Sequence, residues 1–257
     1  MVRGRLIHAI AMSTAAAGPS IRLYTPHAQP LVAGAQVALT DGQRHHLFSV
    51  MRQREGGTVA VFNGADGEWE ASIDVLSKRQ GTLGVRSQLR VQPASMESPT
   101  LLFGVLKGAR QPMLIEKAVE LGAGELQPVI SQHCAVRSLN VERLSAVAAE
   151  AAEQSGRLTV PCVRKPSQLK SLLDEWDTSR TLCVCDERRS GPPLSERLAD
   201  GTVGMDAGLL IGPEGGFSAE EFEALEQRDF VCRVSLGPNI LRAETAALAA
   251  LAVLSCR

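Results

Sequence analysis

The residues best placed to do chemistry lie near the C-terminal end. Residues 209–225, LLIGPEGGFSAEEFEAL, pass from an apolar run into Gly212-Pro213-Glu214-Gly215-Gly216 and then into Ser218-Ala219-Glu220-Glu221. The apolar run reads as a strand buried on both faces. Ser218 and Glu221 have the spacing of a capping box, in which each side chain takes the other's exposed amide, so a helix starts there. Glycines in a strand-to-helix loop permit unusual dihedrals and close backbone approach to a ligand. Loops at the carboxyl ends of strands are also where open α/β sheets bind ligands. Phosphate fits poorly. The loop has neither the Lys-Ser/Thr pair of a P-loop nor the GxGxxG spacing of a dinucleotide site, and Glu214 at its centre repels anions. A neutral or cationic ligand held by backbone groups fits better. S-adenosylmethionine, with its sulfonium charge and adenine edge, is such a ligand. A tight structural turn is the alternative that this loop alone leaves open.

A second constellation follows in residues 234–254, VSLGPNILRAETAALAALAVL. Phe230, Cys232, Val234 and Leu236 alternate as a strand does, and Gly237-Pro238-Asn239 forms a second loop at a strand end. The helix that begins near Glu244 is apolar on nearly every face. It is therefore expected to be buried against a sheet and against a second subunit, with Ala246, Ala249, Ala250 and Val253 allowing close packing. Arg242 and Glu244 stand at the mouth of this helix. They either pair with each other or face a substrate.

Two kinds of element must position these loops. Residues 20–92 read as short strands with turn signals at Asp41-Gly42, Gly56-Gly57, Asn63-Gly64 and Asp66-Gly67. VAVF, EWEASIDV and LGVRSQLRV between them are β-rich or alternating, which suggests a small β-barrel. VQPASMESP supplies a linker at about 92–99. From residue 100 strands alternate with helices: LLFGVL, a helix over Met113–Leu121 with Pro112 in its first turn and Gly122 as its stop, LQPVI, a helix capped by Asn140 and ended by Gly156, a short helix capped by Ser167, then LCVCD and GLLIG. Such alternation indicates an α/β domain with a parallel sheet.

Composition narrows the classes. With 257 residues, 44% of them hydrophobic, the chain can bury two cores. Its net charge of -1 excludes a generic duplex binder, so any nucleic-acid contact must rest on a local patch. The six cysteines form no CxxC pair and have no histidines at zinc spacing. They read as buried reduced thiols, which points to the cytoplasm, and no metal is expected. No apolar run reaches the roughly 18 residues of a membrane span. Residues 1–19 read as a disordered extension.

The pairing of IGPEGGFS with LGPNILRAETAAL resembles the ribosomal RNA small subunit methyltransferase E family, the uridine-N3 methyltransferases of the SPOUT superfamily. KGARQPMLIEKAVELGAGELQPV (107–129), EAAEQSGRLTVP (150–161) and, more loosely, HHLFSVMRQREGGTVAVFNG (45–64) resemble it too. The similarity covers nearly the whole chain from about residue 20. It implies an N-terminal PUA-like RNA-binding β-barrel over 20–92 and an α/β methyltransferase domain over 99–257 tied in a deep trefoil knot. The knot loops bind S-adenosylmethionine, and members are homodimers. On this chain the implied cofactor residues are Ile211, Gly212, Pro213, Glu214, Gly215, Gly216, Leu236, Gly237, Ile240, Leu241 and Thr245. The strand end at Cys185 and Asp186 supplies a third wall. There are departures: Asn239 replaces an arginine of LGPRILR, and Gln132-His133 replaces a Glu-Arg pair.

The implied reaction methylates N3 of a uridine in 16S ribosomal RNA, with the assembled small subunit as partner. Uracil N3 must lose a proton, so a base or an anion-stabilising group is needed. Arg242 is the preferred anion stabiliser, and Glu214 and Glu244 are candidate bases. Glu214 has a second reading, as a brace for its own loop. RNA capture falls to His45, His46, Arg52 and Arg54, clustered near one loop, and to Arg157. Aromatic residues are scarce in the N-terminal part, which favours recognition of folded RNA by shape over base stacking. The competing readings are a non-catalytic RNA-binding assembly factor and a transfer RNA methyltransferase of the same fold.

Overall fold

The computed structural model describes residues 19–28, 30–94, 97–134, 139–185 and 191–255. The expected N-terminal extension, apart from its last residue, and Asp186 lie outside the described residues. The chain divides into two compact units after Gln92.

In the first unit, β1 (Arg22–Tyr24), β2 (Gln36–Ala38), β3 (Thr58–Phe62), β4 (Glu68–Leu76) and β5 (Gly81–Arg90) form one sheet in the order β1-β3-β4-β5-β2. β1 runs parallel to β3, and the other pairs are antiparallel. β1 and β2 are the two edges, so the barrel expected from the sequence is an open half-barrel. Leu23, Leu47, Val59, Val61, Ile73, Leu83 and Val85 fill its core. Glu68 is buried between Arg22 (Nε to Oε1 2.5 Å) and Arg90 (Nε to Oε2 2.7 Å), which ties β1, β4 and β5 together at one end. Burial alone would raise its carboxyl. The hydrogen bonds and charges of Arg90 and Arg22 outweigh that and leave it below the usual carboxylate range.

One local expectation fails here. Asp41-Gly42 is not a turn but the start of α1 (Asp41–His45). Thr40 and Gln43 form a reciprocal capping box that satisfies two end amides, and this outweighs the turn preference of an Asp-Gly pair. A π-helical turn, His46–Val50, continues it. His45 and His46 therefore sit on helical backbone rather than in a loop.

The second unit holds β6 (Thr100–Gly104), α2 (Arg110–Glu120), β7 (Glu125–Ile130), α3 (Val141–Ser155), β8 (Cys162–Val163), β9 (Ser167–Gln168), α4 (Leu169–Asp174), β10 (Leu182–Cys185), α5 (Leu194–Ala199), β11 (Gly208–Ile211), α6 (Ala219–Glu226), β12 (Val231–Val234) and α7 (Ala243–Ser255). All its strands pair in parallel, in the order β12-β10-β11-β6-β7-β8, with β9 also on β7. β6, β10 and β11 are buried at every position, as strands covered on both faces must be. Asn140 caps α3 by accepting from the Arg143 amide, and Gly156 ends it in the left-handed region. Ser167 caps nothing. It belongs to β9, because pairing with Val129 takes that residue into the sheet, and α4 begins at Leu169 without a side-chain cap.

The C-terminal helix α7 turns Ala247, Ala250, Leu251 and Leu254 into the core, packed against β6 and β11. Its opposite face, with Leu248, Ala249, Ala252 and Val253 half-buried, carries almost no polar group.

Candidate active site

Strand register creates the site. Cys185, the last residue of β10, is level with Ile211 of β11 and with Val234 of β12. Three carboxyl ends therefore stop side by side, and the segments that follow β11 and β12 face each other over them. Between these segments lies a cavity of about 640 Å³. Gly212 to Gly216 form one wall, and Leu236, Gly237 and Asn239 to Ala243 the other, with Cys185, Arg110 and Ala246 completing it.

The first wall is braced from several sides. The Gly216 amide donates to the Pro213 carbonyl (2.9 Å) with Gly216 at positive φ, which closes a tight turn. The Ser218 amide donates to Glu221 (2.9 Å) and the Glu221 amide to the Ser218 hydroxyl (3.2 Å), the capping box read from the sequence. The other Glu221 oxygen accepts the Gln132 amide at 2.8 Å. His133 Nδ1 lies 3.1 Å from the Gly215 carbonyl. Beneath the loop, Gly104 of β6 has Pro213 directly against it: a Cβ there would stand 2.6 Å from the Pro213 nitrogen. Gly104 is thus the close-approach residue that lets the loop lie down on the sheet. Reading LLFGVL as a plain strand gives no hint of this.

The charges divide unexpectedly. Glu244 does not pair with Arg242. It is 8% exposed, lies behind the cavity wall, and its Oε2 is 3.8 Å from Arg110 Nη1 with no hydrogen-bond partner among the described residues. Arg110 also forms an ion pair with Glu214 across the cavity. Arg110 therefore sits between two carboxylates, one on the loop and one at the start of α7. Glu214, read as a base or a loop brace, is engaged by Arg110, and Glu244 reaches the cavity only through that arginine. Arg242 is exposed and lines the cavity without this restraint. Sequence reasoning missed Arg110, although it lies two residues before Pro112 within the KGARQPMLIEKAVELGAGELQPV segment. The helix starts at Arg110 itself, so Pro112 is its third residue, where a missing amide still costs nothing.

Of the expected cofactor residues, Ile211, Gly212, Pro213, Glu214, Gly215, Gly216, Leu236, Gly237, Ile240 and Leu241 all line the cavity. Thr245 does not: it is exposed, and Ala246, one position on, faces the cavity instead. One residue is a rotation of about 100° on a helix, which is finer than a boundary read from sequence resolves. Ile240 is 76% exposed at the lip, apolar surface that a bound molecule would cover. Burial pushes the Cys185 thiol up to about 12, so this wall is neutral and unreactive.

The expected RNA contacts separate. His45, His46, Arg52 and Arg54 are all exposed on the first unit, and Arg52 is a non-glycine residue at φ 52°. Arg157 is engaged within its own unit. Its guanidinium donates to the Val119 and Ala123 carbonyls at 2.7 and 2.9 Å and to the Thr159 hydroxyl at 3.3 Å. Burial lowers its pKa. The side chain staples the end of α2 to the segment after α3.

Residues 94–255 match the RNA methyltransferase domain family, and residues 39–85 match the RNA methyltransferase PUA domain. The ribosomal RNA small subunit methyltransferase E of Rickettsia conorii is 32% identical over 213 residues, 83% of this chain and 86% of that protein. The chain belongs to the ribosomal RNA small subunit methyltransferase E family. A crystal structure of the Neisseria gonorrhoeae member of this family, bound to S-adenosyl methionine, superposes with a TM-score of 0.79 at 31% identity, covering 90% of this chain and 95% of that one. A Legionella pneumophila structure in complex with the cofactor SAM gives 0.80 at 31% identity, covering 91% and 96%. Membership makes the chain an RNA methyltransferase with a PUA unit, and the cavity above lies between the two glycine loops singled out in the sequence.

Proposed function

We propose that this chain transfers a methyl group from S-adenosylmethionine to N3 of a uridine in 16S ribosomal RNA, on the assembled small subunit in the cytoplasm. The observation that carries this reading is the cavity between two glycine loops at three level strand ends, in a chain whose relatives bind that cofactor. The cavity suits the molecule. Its first wall is glycine-rich backbone, and the one carboxylate on that loop is matched by Arg110. S-adenosylmethionine supplies an activated methyl group. The chain's residues do the rest: the two loops orient the ligand, which is largely a positioning contribution, and Arg242 offsets the negative charge that develops on uracil as its N3 proton leaves. Glu244 sets the position of Arg110. Glu214 can take a proton only after exchanging its partner, since Arg110 holds it.

The substrate test compares assembled small subunits with naked 16S ribosomal RNA at matched salt. The near-neutral chain, with Asn239 and His133 in place of cations, has weak generic attraction for phosphate, which supplies most non-specific affinity. Subunits should be methylated at least about tenfold faster, the effect of about 1.4 kcal/mol, and mass spectrometry should place the methyl on uracil N3. Equal rates on naked RNA refute the subunit preference, and a methyl group elsewhere refutes the chemistry.

The chain is also proposed to act as a homodimer through the outer face of α7. Leu248, Ala249, Ala252 and Val253 form an apolar strip that burial within one chain leaves half open. Light scattering should give a dimer at micromolar concentration, and Ala249→Arg should shift it to monomer. A wild-type monomer at that concentration contradicts the assignment. No helix among the described residues is long and apolar enough to cross a membrane.

A further inference from the structure

A second cavity, of about 630 Å³, opens at the carboxyl edge of the same sheet, over the end of β7 and between α4 and α6. Its apolar walls come from Leu169 and Leu173 on α4 and from Ala224 on α6. At its base Ser131, the residue after β7, is 3% exposed, and its hydroxyl has no hydrogen-bond partner among the described residues. A buried hydroxyl is normally satisfied, so an unpartnered one in the lining of a cavity marks a position that an occupant's polar group would complete after a small shift.

The rest of the lining says what kind of ligand. Gln132, Gln168 and Gln227 each bring an amide, which both donates and accepts. Lys170 stands beside them, and Arg228 is paired with Asp174. Glu220 and Glu221 also face the cavity, so it is not a site for a bare anion. Apolar sides with amide and hydroxyl groups at the edges suit a flat heterocycle. Its faces pack between α4 and α6, and its rim is read by hydrogen bonds, as splayed bases of single-stranded RNA are recognised.

The two cavities are linked by contacts through neighbouring residues. Gln132 lines the second cavity, and its amide holds Glu221, which caps α6 behind the first. His133, next in the chain, contacts the carbonyl of Gly215, which lines the first cavity. We propose that the second cavity takes the base of a second unstacked nucleotide of the RNA substrate, close in the chain to the methylated one. This rests on the reading of the chain as an RNA methyltransferase.

The test uses the full-length protein with two substitutions kept apart from the methyl-transfer cavity. Ala224→Phe fills the space between α4 and α6, and Gln168→Ala removes an exposed amide without touching the core. The expected result for each is a KM for small subunits raised about tenfold, the scale of one lost base contact. The kcat at saturation and the S-adenosylmethionine affinity by calorimetry should stay within about twofold, well under the 1.4 kcal/mol of a tenfold change. Fluorescence anisotropy with a short mixed-sequence single-stranded RNA should show the same weakening, without reference to methyl transfer. An unchanged KM in both variants overturns the proposal. If Ala224→Phe also loses cofactor affinity or melts early, Gln168→Ala decides, and its normal KM overturns the proposal. If the wild type methylates no subunits, the functional reading fails, and oligonucleotide binding alone decides the cavity: equal affinity in wild type and variants overturns it.

Discussion

Replacing Gly104 with alanine should remove most of the affinity for S-adenosylmethionine. The added Cβ would stand 2.6 Å from the Pro213 nitrogen, 2.7 Å from its Cα and 2.9 Å from its Cβ. Two of these three atoms are backbone, so no side chain can swing aside. β6 cannot retreat either, because it is paired with β11 on one side and β7 on the other, with Gly104 itself in register with Val129. The Gly212–Gly216 loop must lift. Overpacking a well-packed site costs about 1–3 kcal/mol, and here the distortion falls on the wall of the cavity. Each 1.4 kcal/mol of lost binding is about a factor of ten, so affinity should fall by roughly tenfold to a hundredfold. Calorimetry measures it, with thermal melting run alongside. Affinity within twofold of wild type at an unchanged melting temperature would show that the loop does not form the cofactor site. Gly215→Val makes a useful contrast. A Cβ at Gly215 meets the Cβ of His133 at 3.0 Å, a contact that the exposed turn carrying His133 can relieve by a shift of a few tenths of an ångström. Its effect on affinity should be smaller.

Arg242→Ala should lower kcat by about a hundredfold to a thousandfold, the usual cost of deleting one group that stabilises developing negative charge. Cofactor affinity should be unchanged. Arg242 is exposed at the cavity lip, so its loss opens no hole in the core. Arg110 behaves differently. Truncating it strands Glu244, which is buried with one oxygen lacking a hydrogen bond, and a buried charge that loses its partner destabilises the fold. Arg110→Met should therefore lower the melting temperature as well as turnover, while Arg242→Ala lowers turnover alone. Methyl-transfer rates on small subunits, with melting curves, separate the two. Normal turnover in Arg242→Ala would take that residue out of the chemistry and leave Arg110 as the cation that faces the substrate.

The division between these arginines shows where sequence reasoning stops. The caps and stops of the helices were legible because they are local: Asn140, Ser218 with Glu221, and Gly156 each satisfy or release backbone within a few residues. The same physics explains the failures nearby. Asp41-Gly42 suggested a turn, but Thr40 and Gln43 close a capping box around it. Arg157 looked like a charge free for RNA, whereas the carbonyls that occupy it belong to residues more than thirty positions earlier.

By itself the sequence determined the two-part organisation, the parallel α/β character of the second part, the two glycine loops and most of the residues that face the cavity. Each of these follows from hydrophobic period, from turn chemistry, or from a motif that survives as contiguous text. Only the tertiary structure decided that Cys185, Ile211 and Val234 end level, that Gly104 must be bare, that Arg110 stands between Glu214 and Glu244, and that Ser131 lies at the base of a second cavity. These depend on strand register and on contacts between residues far apart in the chain. The energy of such a contact is shared between both partners, so neither segment read alone carries its mark.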